Sequence, residues 1–458
     1  MSERSFLPIV LAAGLGTRMQ SEMPKVMHEI GHLPMIGHVL NSLKMSNADR
    51  VAVVIGPQMD ALEKVVTDLS PNVSCHVQTD RLGTAHAALA ARDAMLDPAD
   101  DVLILYGDTP LVTREAIGTV RAALADGADV AVLGFETKKP YGYGRLLTDG
   151  GQLLAIREEK DATDAERRIT FCNSGIMGFR GKVVLELLTS IGNDNKKGEF
   201  YLTDAAEIAV ARNLNVVAVS ASEEDVQGIN TRAQLSTCEA VFQRRMRIQT
   251  LEGGVTMQAP DTVYFSHDTV IEPDVLIEPN VVFGPDVHVE RGAVIRAFSH
   301  LEGAHVGSSA TVGPYARLRP GARLSEGSRV GNFVEVKNSE IGVGAKVNHL
   351  SYIGDASIGA KSNIGAGTIT CNYDGFGKHK TDIGAGSFIG SNSTLVAPLT
   401  LGNGVFVAAG SVVTEQVSDN ALVIGRSQQV EKTGRAEALR TRFKAAKDAK
   451  SSGTERGK

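Results

Sequence analysis

The chain of 458 residues has no tryptophan, few aromatics (5%) and four cysteines. Cys75, Cys172, Cys238 and Cys371 stand far apart with no C-x-x-C pair, which argues against a zinc site and a disulfide scaffold. No stretch approaches the roughly 18 apolar residues of a membrane span, and Met1–Val10 lacks the long apolar segment of a signal peptide. Basic residues number 47 and acidic ones 53, a net charge of −6, with no basic stripe before the C-terminal tail. The expected partners are therefore small molecules, with no nucleic acid and no membrane, in a reducing cytoplasmic setting. A hydrophobic fraction of 43% is ordinary for a globular protein, and 458 residues imply two domains or more.

What the chain does have is a period of six. Ile271, Ile277, Phe283, Val289 and Ile295 fall in step; after a slip the series resumes at Val312, Leu318, Leu324, Val330 and Val336. It continues through Val347, Ile353 and Ile364, and later Ile383, Ile389, Leu395, Leu401, Val407 and Val413. Neither a helix (3.6) nor a hairpin sheet (2.0) produces that spacing. Six residues per flat side and three sides per coil describe a left-handed parallel β-helix of hexapeptide repeats. Glycine often follows the aliphatic residue, as at Gly313, Gly331, Gly342, Gly354, Gly359, Gly365, Gly384, Gly390 and Gly402. These glycines are expected at corners where φ is positive and no Cβ can be fitted.

Before Ile271 the pattern changes to strands alternating with helices. Leu7–Ala12, Val51–Ile55, Val73–Gln78, Val102–Tyr106, Val130–Phe135 and Val216–Val219 read as strands. Met35–Met45, Met59–Leu69 and Ala85–Met95 read as helices between them, giving a doubly wound α/β domain on a mostly parallel sheet. Ala233–Leu251, with Thr231 before it and Gly253-Gly254 after it, reads as a connecting helix. The expected domains are residues 1–232, a helical linker 233–253, and the β-helix with its basic tail, 254–458. Beyond Arg435 a short helix should fade into disorder at Ser451, Ser452 and Gly453.

In open α/β sheets ligands bind beyond the carboxyl ends of the strands. Leu11-Ala12-Ala13-Gly14-Leu15-Gly16-Thr17-Arg18-Met19 leaves the first strand there. Its glycines would let backbone N–H groups approach phosphates, and a following helix would add its positive end. Arg18 and Lys25 suit a triphosphate. The third glycine of G-x-G-x-x-G and the Walker pattern are both missing, so a dinucleotide fold and a P-loop fit poorly. A two-glycine loop alone fits a structural turn equally well, and a lone Asp after a strand commonly caps a helix. Asp108 in Tyr106-Gly107-Asp108 nevertheless has a second oxygen ligand on offer in Asn230 of Gly228-Ile229-Asn230, enough for Mg²⁺ with phosphates and water. Gln78, Gly83 and Thr84 are placed to read a base edge.

In the β-helix the hexads are interrupted once, by Cys371-Asn372-Tyr373-Asp374-Gly375-Phe376-Gly377-Lys378-His379-Lys380. A neutral corner insertion accounts for a loop alone. The neighbouring coils, however, carry Arg319, Glu335, Lys337, His349 and Tyr352. Arg319 and Lys337 suit a sugar phosphate, and His349 can take a proton from an amine.

These motifs carry a resemblance over nearly the whole chain. The L-x-x-G-x-G-T-R-M-x4-P-K string, closed by Pro24-Lys25, resembles sugar-nucleotide pyrophosphorylases. With Gln78, Leu82-Gly83-Thr84, Tyr106-Gly107-Asp108-Thr109-Pro110, Gly142-Tyr143-Gly144-Arg145, Glu158 with Lys160, Asn173-Ser174-Gly175, Gly228-Ile229-Asn230 and the hexads, the match narrows. The chain resembles the bacterial bifunctional N-acetylglucosamine-1-phosphate uridyltransferases/glucosamine-1-phosphate N-acetyltransferases. The resemblance implies that Leu11, Ala12, Ala13, Gly14, Arg18, Lys25, Gln78, Gly83, Thr84, Tyr106, Gly107 and Asp108 bind UTP or UDP-GlcNAc. Gly144, Glu158 and Asn173 would hold the sugar, and Asp108 with Asn230 the Mg²⁺. Arg319, Lys337, Tyr352 and Asn363 would bind glucosamine-1-phosphate, with His349 as general base oriented by Glu335. Ala366, Asn372, Tyr373, Ser391, Ala409 and Arg426 would line an acetyl-CoA groove. The implied product, made by acetylation and then uridylyl transfer to N-acetylglucosamine-1-phosphate, is UDP-GlcNAc for peptidoglycan and lipopolysaccharide synthesis. A homotrimer is implied as well.

Small departures exist. Ala85 stands where some relatives have Gly, Ser174 where Thr is common, and Val263–Leu318 is about one coil shorter. The competing reading is a pyrophosphorylase for another nucleotide with a non-catalytic, trimerising β-helix. His349 and the Asn372-Tyr373-Asp374-Gly375 loop weigh against it.

Overall fold

A computed structural model describes residues 4–454 except Asp49, Pro98 and Lys196. The chain forms two compact units, Met1–Arg291 with His300–Gly303, and Gly292–Ser299 with Ala304–Lys458.

The first unit opens with β1 (Phe6–Leu11), the hairpin strands β2 (Glu29–Ile30) and β3 (Leu33–Pro34), and α1 (Met35–Met45). There follow β4 (Val51–Ile55), α2 (Asp60–Leu69), β5 (Val73–Val77), α3 (Thr84–Ala90), α4 (Arg92–Met95) and β6 (Asp101–Tyr106). Next come α5 (Arg114–Ala125), β7 (Val130–Glu136), β8 (Arg145–Asp149), β9 (Gln152–Arg157) and β10 (Phe171–Arg180). The α/β part closes with α6 (Gly181–Thr189), α7 (Asp204–Ala211), β11 (Val216–Ala221) and α8 (Arg232–Glu252). The helix expected over Ala85–Met95 is divided at Ala91 into α3 and α4.

Nine strands make one sheet in the order β5-β4-β1-β6-β10-β7-β11-β9-β8. Both faces are covered, which is why the central strands are apolar without alternation. Val10, Val53 and Leu105 belong to one core and Ile9, Val54 and Ile104 to the other. β1 pairs in parallel with β4 on one side and β6 on the other. The chain order therefore reverses between β1 and β6, where such sheets open a crevice. Strands β8, β9 and β10 escaped the sequence reading: the apolar runs of β8 and β9 are only two and four residues long, and Asn173-Ser174-Gly175 breaks that of β10. β10 is antiparallel to β6 and β7, and its register shifts between Asn173 and Met177. Asn173 still pairs with Gly134, and the irregularity lifts Ser174 and Gly175 out of the ladder directly after it.

Thr231 caps α8 through a capping box with Gln234, and Gly253 ends it. The first unit then adds coils of the hexad pattern. Thr256–Met257 lies on Leu276–Ile277, Val270–Ile271 on Val287–Val289, and Val282–Phe283 on His300–Leu301, all parallel.

The second unit is a three-sided prism of short parallel strands. Its first face stacks Thr311–Val312, Arg329–Asn332, Lys346–His349, Asn363–Ile364, Phe388–Ile389 and Phe406–Val407. The second face stacks Arg317–Leu318, Glu335–Lys337, Tyr352–Gly354, Ile369–Cys371 and Thr394–Val396; the third runs from Ala304–Val306 to Leu399–Leu401. Val312, Val330, Val347 and Ile389 of the first face are buried inside it, each adding roughly 1.5–3 kcal/mol by leaving water.

The repeat glycines meet one half of the expectation and not the other: no Cβ fits at them, while positive φ falls mainly to other positions, among them Gly327, Gly344 and Gly386. Of the nine glycines that follow an aliphatic residue, only Gly313 has positive φ. Of the other eight, seven lie so close under the next coil that a Cβ would come within 3 Å of it, and at Gly354 a Cβ would meet the Tyr352 ring. A Cβ on Gly331 would lie 2.0 Å from the Asn348 carbonyl oxygen, and one on Gly390 2.4 Å from the Ala409 nitrogen. The left-handed corners fall largely to other residues, including Asp274, Phe298, Tyr315, Phe333, Leu350 and Asn392. Gly331→Ala should therefore lower stability by about 1–3 kcal/mol through overpacking. Gly118→Ala in α5, where a Cβ meets nothing within 4 Å, should raise it by up to about 1 kcal/mol. Calorimetric unfolding of the two variants would show shifts of opposite sign.

The tail forms α9 (Arg435–Thr454), longer than the short helix expected and including Ser451, Ser452 and Gly453. Its Ala, Leu, Arg and Lys content favours helix. Residues 455–458 lie outside the described residues.

Candidate active sites

The first cluster forms at the β1/β6 crevice. Leu11 is opposite Tyr106 in the ladder, and the Gly107 N–H donates to the Leu11 carbonyl at 3.0 Å. The loop after β1 thus lies beside the Tyr106-Gly107-Asp108 turn. Thr17–Met19 is a single 3-10 turn, so no helix follows the loop and the expected helix dipole is missing. Backbone amides and the cations of Arg18 and Lys25 are what the loop offers to an anion instead. The two glycines divide the work. A Cβ on Gly14 would meet nothing within 4 Å, whereas one on Gly16, at φ 63°, would lie 2.5 Å from the Lys25 Cβ. Gly14 keeps the crevice open and Gly16 lets Lys25 approach.

The Lys25 ammonium contacts the Asp108 carboxylate and lies 3.1 Å from Asn230 Oδ1. Arg18 Nη2 donates to the same Asn230 oxygen at 2.7 Å. Asp108 and Asn230, 122 positions apart in sequence, are held together by a hydrogen bond from the Ile229 N–H to the Asp108 carbonyl, 3.0 Å. A carboxylate and an amide carbonyl are hard oxygen donors. They fit a divalent cation that completes its shell with phosphates and water. Among the described residues no cluster of three or more His, Cys, Asp or Glu side chains could hold a metal alone.

Gln78 is buried, and its Nε2 donates to the Gly83 carbonyl at 3.3 Å. Thr84 Oγ1 accepts from the Leu202 N–H at 2.9 Å. Burial, with Asp108 nearby, pushes the Tyr106 hydroxyl well above the ordinary tyrosine range. A Cβ on Gly175 would lie 2.7 Å from that ring, so Tyr106 and the Asn173-Ser174-Gly175 bulge are in close contact. The Asn173 N–H donates to the Gly144 carbonyl at 2.8 Å. A Cβ on Gly144 would be 3.5 Å from Glu158 Oε1 and 3.6 Å from Asn173 Cβ. Gly144, Glu158 and Asn173 therefore form one polar patch continuous with Tyr106. Burial, helped by Asp161 and Asp204, raises the Glu158 carboxyl above its usual range. Buried Arg145 pairs with Glu159 at 2.7 Å and anchors the loop that carries Gly144. One contributor had no signature in the sequence: Arg81 Nε donates to the Ala13 carbonyl at 2.9 Å and braces the phosphate loop.

The prism carries its candidates on two different corners. At the end of the first face, Asn332 lies opposite His349. His349 Nδ1 meets Asn332 Oδ1 at 2.7 Å, so Nδ1 carries the proton and Nε2 the free lone pair. This corrects the expected partner. Glu335 accepts from Arg319 at 2.8 Å on the second face and does not orient His349. Asn332 stands one coil below the histidine, a relation visible only once the period is a three-dimensional stack.

Above His349, the same corner is a ladder. The His349 carbonyl accepts from Gly367 at 3.3 Å, that of Ala366 from Asn392 at 2.7 Å, and that of Ser391 from Gly410 at 2.8 Å. A Cβ on Gly410 would be 4.0 Å from Arg426 Cδ. Ala366, Ser391, Ala409 and Arg426 thus rise in one column over His349, three small side chains topped by a cation.

The second-face corner gathers the other set. Tyr352 follows Glu335 in the ladder, one coil above. Arg319 and Lys337 are joined by Lys378 from the interrupting loop, which the sequence reading passed over. The Lys378 ammonium beside it, together with Arg319, holds Lys337 below the usual lysine range. Three converging cations suit a phosphate dianion. The loop itself is ordered: Asp374 accepts from Phe376 at 2.8 Å, Gly377 at 2.7 Å and His379 at 2.7 Å. The Gly377 and Phe376 amides and His379 hold its carboxyl far below the usual range. Asn372 bonds to Asp355, which also accepts from Asn338 at 2.6 Å; Tyr373 is exposed. A cavity of about 410 Å³ opens here, lined by Asn338, Asp355, Lys378 and His379. Asn363 lies on the first face between Lys346 and Phe388, away from this corner.

A crevice that sets two cations beside two oxygen donors, followed in the same chain by a prism with a histidine under a small-residue column, has the layout of a two-headed transferase. Comparison with known proteins agrees. Residues 8–170 match the MobA-like NTP transferase domain, and residues 268–303 the bacterial transferase hexapeptide (six repeats), whose coils wind left-handed. The bifunctional protein GlmU of Azorhizobium caulinodans is 58% identical over 440 residues, 96% of this chain and 98% of that protein. Those of Agrobacterium fabrum (54% over 448 residues; 98% and 99%) and Ruegeria sp. (53% over 445 residues; 97% and 99%) are similar. The chain belongs to the GlmU family of bifunctional transferases. No helix among the described residues is long and apolar enough to cross a membrane.

Proposed function

We infer that this chain makes UDP-N-acetylglucosamine in two steps, acetylating glucosamine-1-phosphate with acetyl-CoA and then coupling the product to UTP with Mg²⁺. The observation that carries the bifunctional reading over a pyrophosphorylase with an inert β-helix is the Asn332–His349 pair beneath the small-residue column. An inert prism has no use for a tautomer-fixed imidazole at that place.

In the acetyl step the sugar amine attacks the thioester carbonyl, His349 Nε2 takes the amine proton, and as the C–S bond breaks it passes that proton to the departing sulfur, so CoA leaves as the thiol. Arg319, Lys337 and Lys378 hold the sugar phosphate, while Ala366, Ser391 and Ala409 leave room for the pantetheine arm and Arg426 meets its phosphates. Cys371 is not an acyl carrier. In the uridylyl step a phosphate oxygen of N-acetylglucosamine-1-phosphate attacks the α-phosphorus of UTP in line and pyrophosphate leaves. Arg18 and Lys25 neutralise the phosphates; Gly144, Glu158 and Asn173 orient the sugar; Gln78, Gly83 and Thr84 read the base. Mg²⁺ on Asp108 and Asn230 supplies charge neutralisation when bound. The functional division falls at residues 233–253, with transfer of uridylyl before it and of acetyl after it. Supplying glucosamine-1-phosphate, acetyl-CoA, UTP and Mg²⁺ should yield UDP-N-acetylglucosamine, CoA and pyrophosphate. Pyrophosphate release only with pre-acetylated sugar phosphate would favour the inert-prism reading.

The two corners bear on assembly. His349 and its column occupy one corner of the prism, and the phosphate-binding cations another. The two clusters lie at opposite ends of the second face, and copies packed side by side can join unlike corners into one site. A closed ring of such head-to-tail contacts around three prisms is a homotrimer. Beside His349 run Phe298, Tyr315 and Phe333, stacked at 4.9 and 5.2 Å, and then Leu350, all exposed. An exposed apolar strip of this kind marks a contact surface. Light scattering should report three times 48.5 kDa. Phe333→Asp should dissociate the protein and abolish CoA release before pyrophosphate release; a monomer acetylating at full rate would refute the shared site.

A further inference from the structure

We propose that Gln234, in the first turn of α8, is a positioning residue that sets Asn230 opposite Asp108 for the divalent cation of the uridylyl site. The proposal rests on the reading of Asn230 as a metal ligand.

Gln234 Oε1 accepts from the backbone N–H of Asn230 at 2.8 Å and from that of Thr231 at 3.1 Å. Thr231 Oγ1 accepts in return from the Gln234 N–H at 3.3 Å. One amide oxygen thus holds two successive peptide groups, and the first belongs to the residue whose side chain faces Lys25 and Arg18. On the other side of Asn230, the buried Ile229 packs with Ile30, Met35, Leu111, Cys238 and Phe242 and ties its N–H to Asp108. Asn230 is therefore a single residue suspended between two anchors, one on the Asp108 turn and one on the helix.

The helix is itself fixed. Buried Gln243 exchanges two hydrogen bonds with the Phe265 backbone, 2.7 and 2.8 Å, and Arg247 Nε donates to the Val263 carbonyl at 2.9 Å. A capping box of this kind opens many helices; here the peptide it holds belongs to Asn230, so the same bonds also fix a neutral amide ligand. Asn230 brings no charge to a cation, so its contribution depends on its carbonyl oxygen being in place before the metal arrives. Partners that orient a ligand typically account for about 10-fold to 100-fold in metal affinity.

The test compares Gln234→Ala, Gln234→Glu and Asn230→Ala in the full chain. Mn²⁺ binding is read by electron paramagnetic resonance with a non-hydrolysable UTP analogue, and the Mg²⁺ midpoint is read from pyrophosphate release. Circular dichroism and calorimetric unfolding of the full chain serve as the control on folding of the α/β part, because the acetyl site lies in the other unit. Gln234→Ala should weaken Mn²⁺ binding and raise the Mg²⁺ midpoint by about 10-fold, with kcat at saturating Mg²⁺ within about twofold of the parent. Gln234→Glu keeps an acceptor at the capping position and should restore both. Unchanged Mn²⁺ affinity in Gln234→Ala, or equal losses in both Gln234 variants, would overturn the proposal. Should the alanine variant not fold, Gln234→Asn, which withdraws the acceptor by one methylene, should show the same split, and its absence would count equally against the idea. Unchanged Mn²⁺ binding in Asn230→Ala would instead refute the ligand reading on which the proposal depends.

Discussion

Asp108→Asn should reduce pyrophosphate release by about 10²–10³-fold while CoA release stays near the parent rate. The side chain is only 17% exposed and pairs with the 14% exposed Lys25. Removing its charge takes away both a hard anionic oxygen and the counterion that orders Lys25. An isosteric amide preserves the packing of the turn, so the loss reports charge rather than collapse. Both products are measured on one preparation because the two clusters lie in different parts of one chain. Loss of both activities in a folded Asp108→Asn protein would overturn the assignment of two independent sites.

His349→Ala should do the reverse. A general base contributes about 10²–10⁴-fold, and CoA release should fall by that factor. Uridylyl transfer to supplied N-acetylglucosamine-1-phosphate should not change. His349 is exposed and its ring makes a side-chain bond to Asn332, so its removal leaves no buried cavity and stability should hold. Asn332→Leu should follow with a smaller loss, since the ring keeps its basic nitrogen but not its fixed tautomer. Acetylation at the parent rate by His349→Ala would mean that another group, or solvent, takes the proton.

How much of this was legible in the chain depended on the range of the interaction. A period of six is local, so the prism, its stacked aliphatic interior and the single interruption at Cys371–Lys380 could be read directly. Gly14, Lys25, Asp108 and Asn230 were legible as chemistry because Gly, Lys and Asp next to strand ends have few other uses in combination. The resemblance to a known family then supplied roles, such as those of Ala366, Ser391 and Ala409, that no spacing would reveal. The strands Arg145–Asp149, Gln152–Arg157 and Phe171–Arg180 were not legible. The first two form a hairpin with each other across Gly150-Gly151, a local turn signal that the reading passed over, whereas Phe171–Arg180 pairs with the distant strands β6 and β7.

By itself the sequence determined the two architectures, the α8 cap at Thr231, and the residue types available for phosphate, metal and proton transfer. Those follow from backbone periodicity and side-chain chemistry, which act over a few residues. Only the tertiary structure decided who stands beside whom. It replaced Glu335 with Asn332 as the partner of His349, added Lys378 to Lys337 and Arg81 to the phosphate loop, and removed the helix expected after Gly16. It also moved positive φ from the repeat glycines to residues such as Phe333 and Leu350, leaving most of the glycines to clear the backbone of the next coil. Apart from the local 3-10 turn after Gly16, each of these depends on segments that meet only when coils stack or strands pair. The geometry of stacking sets them, and a linear pattern carries no record of it.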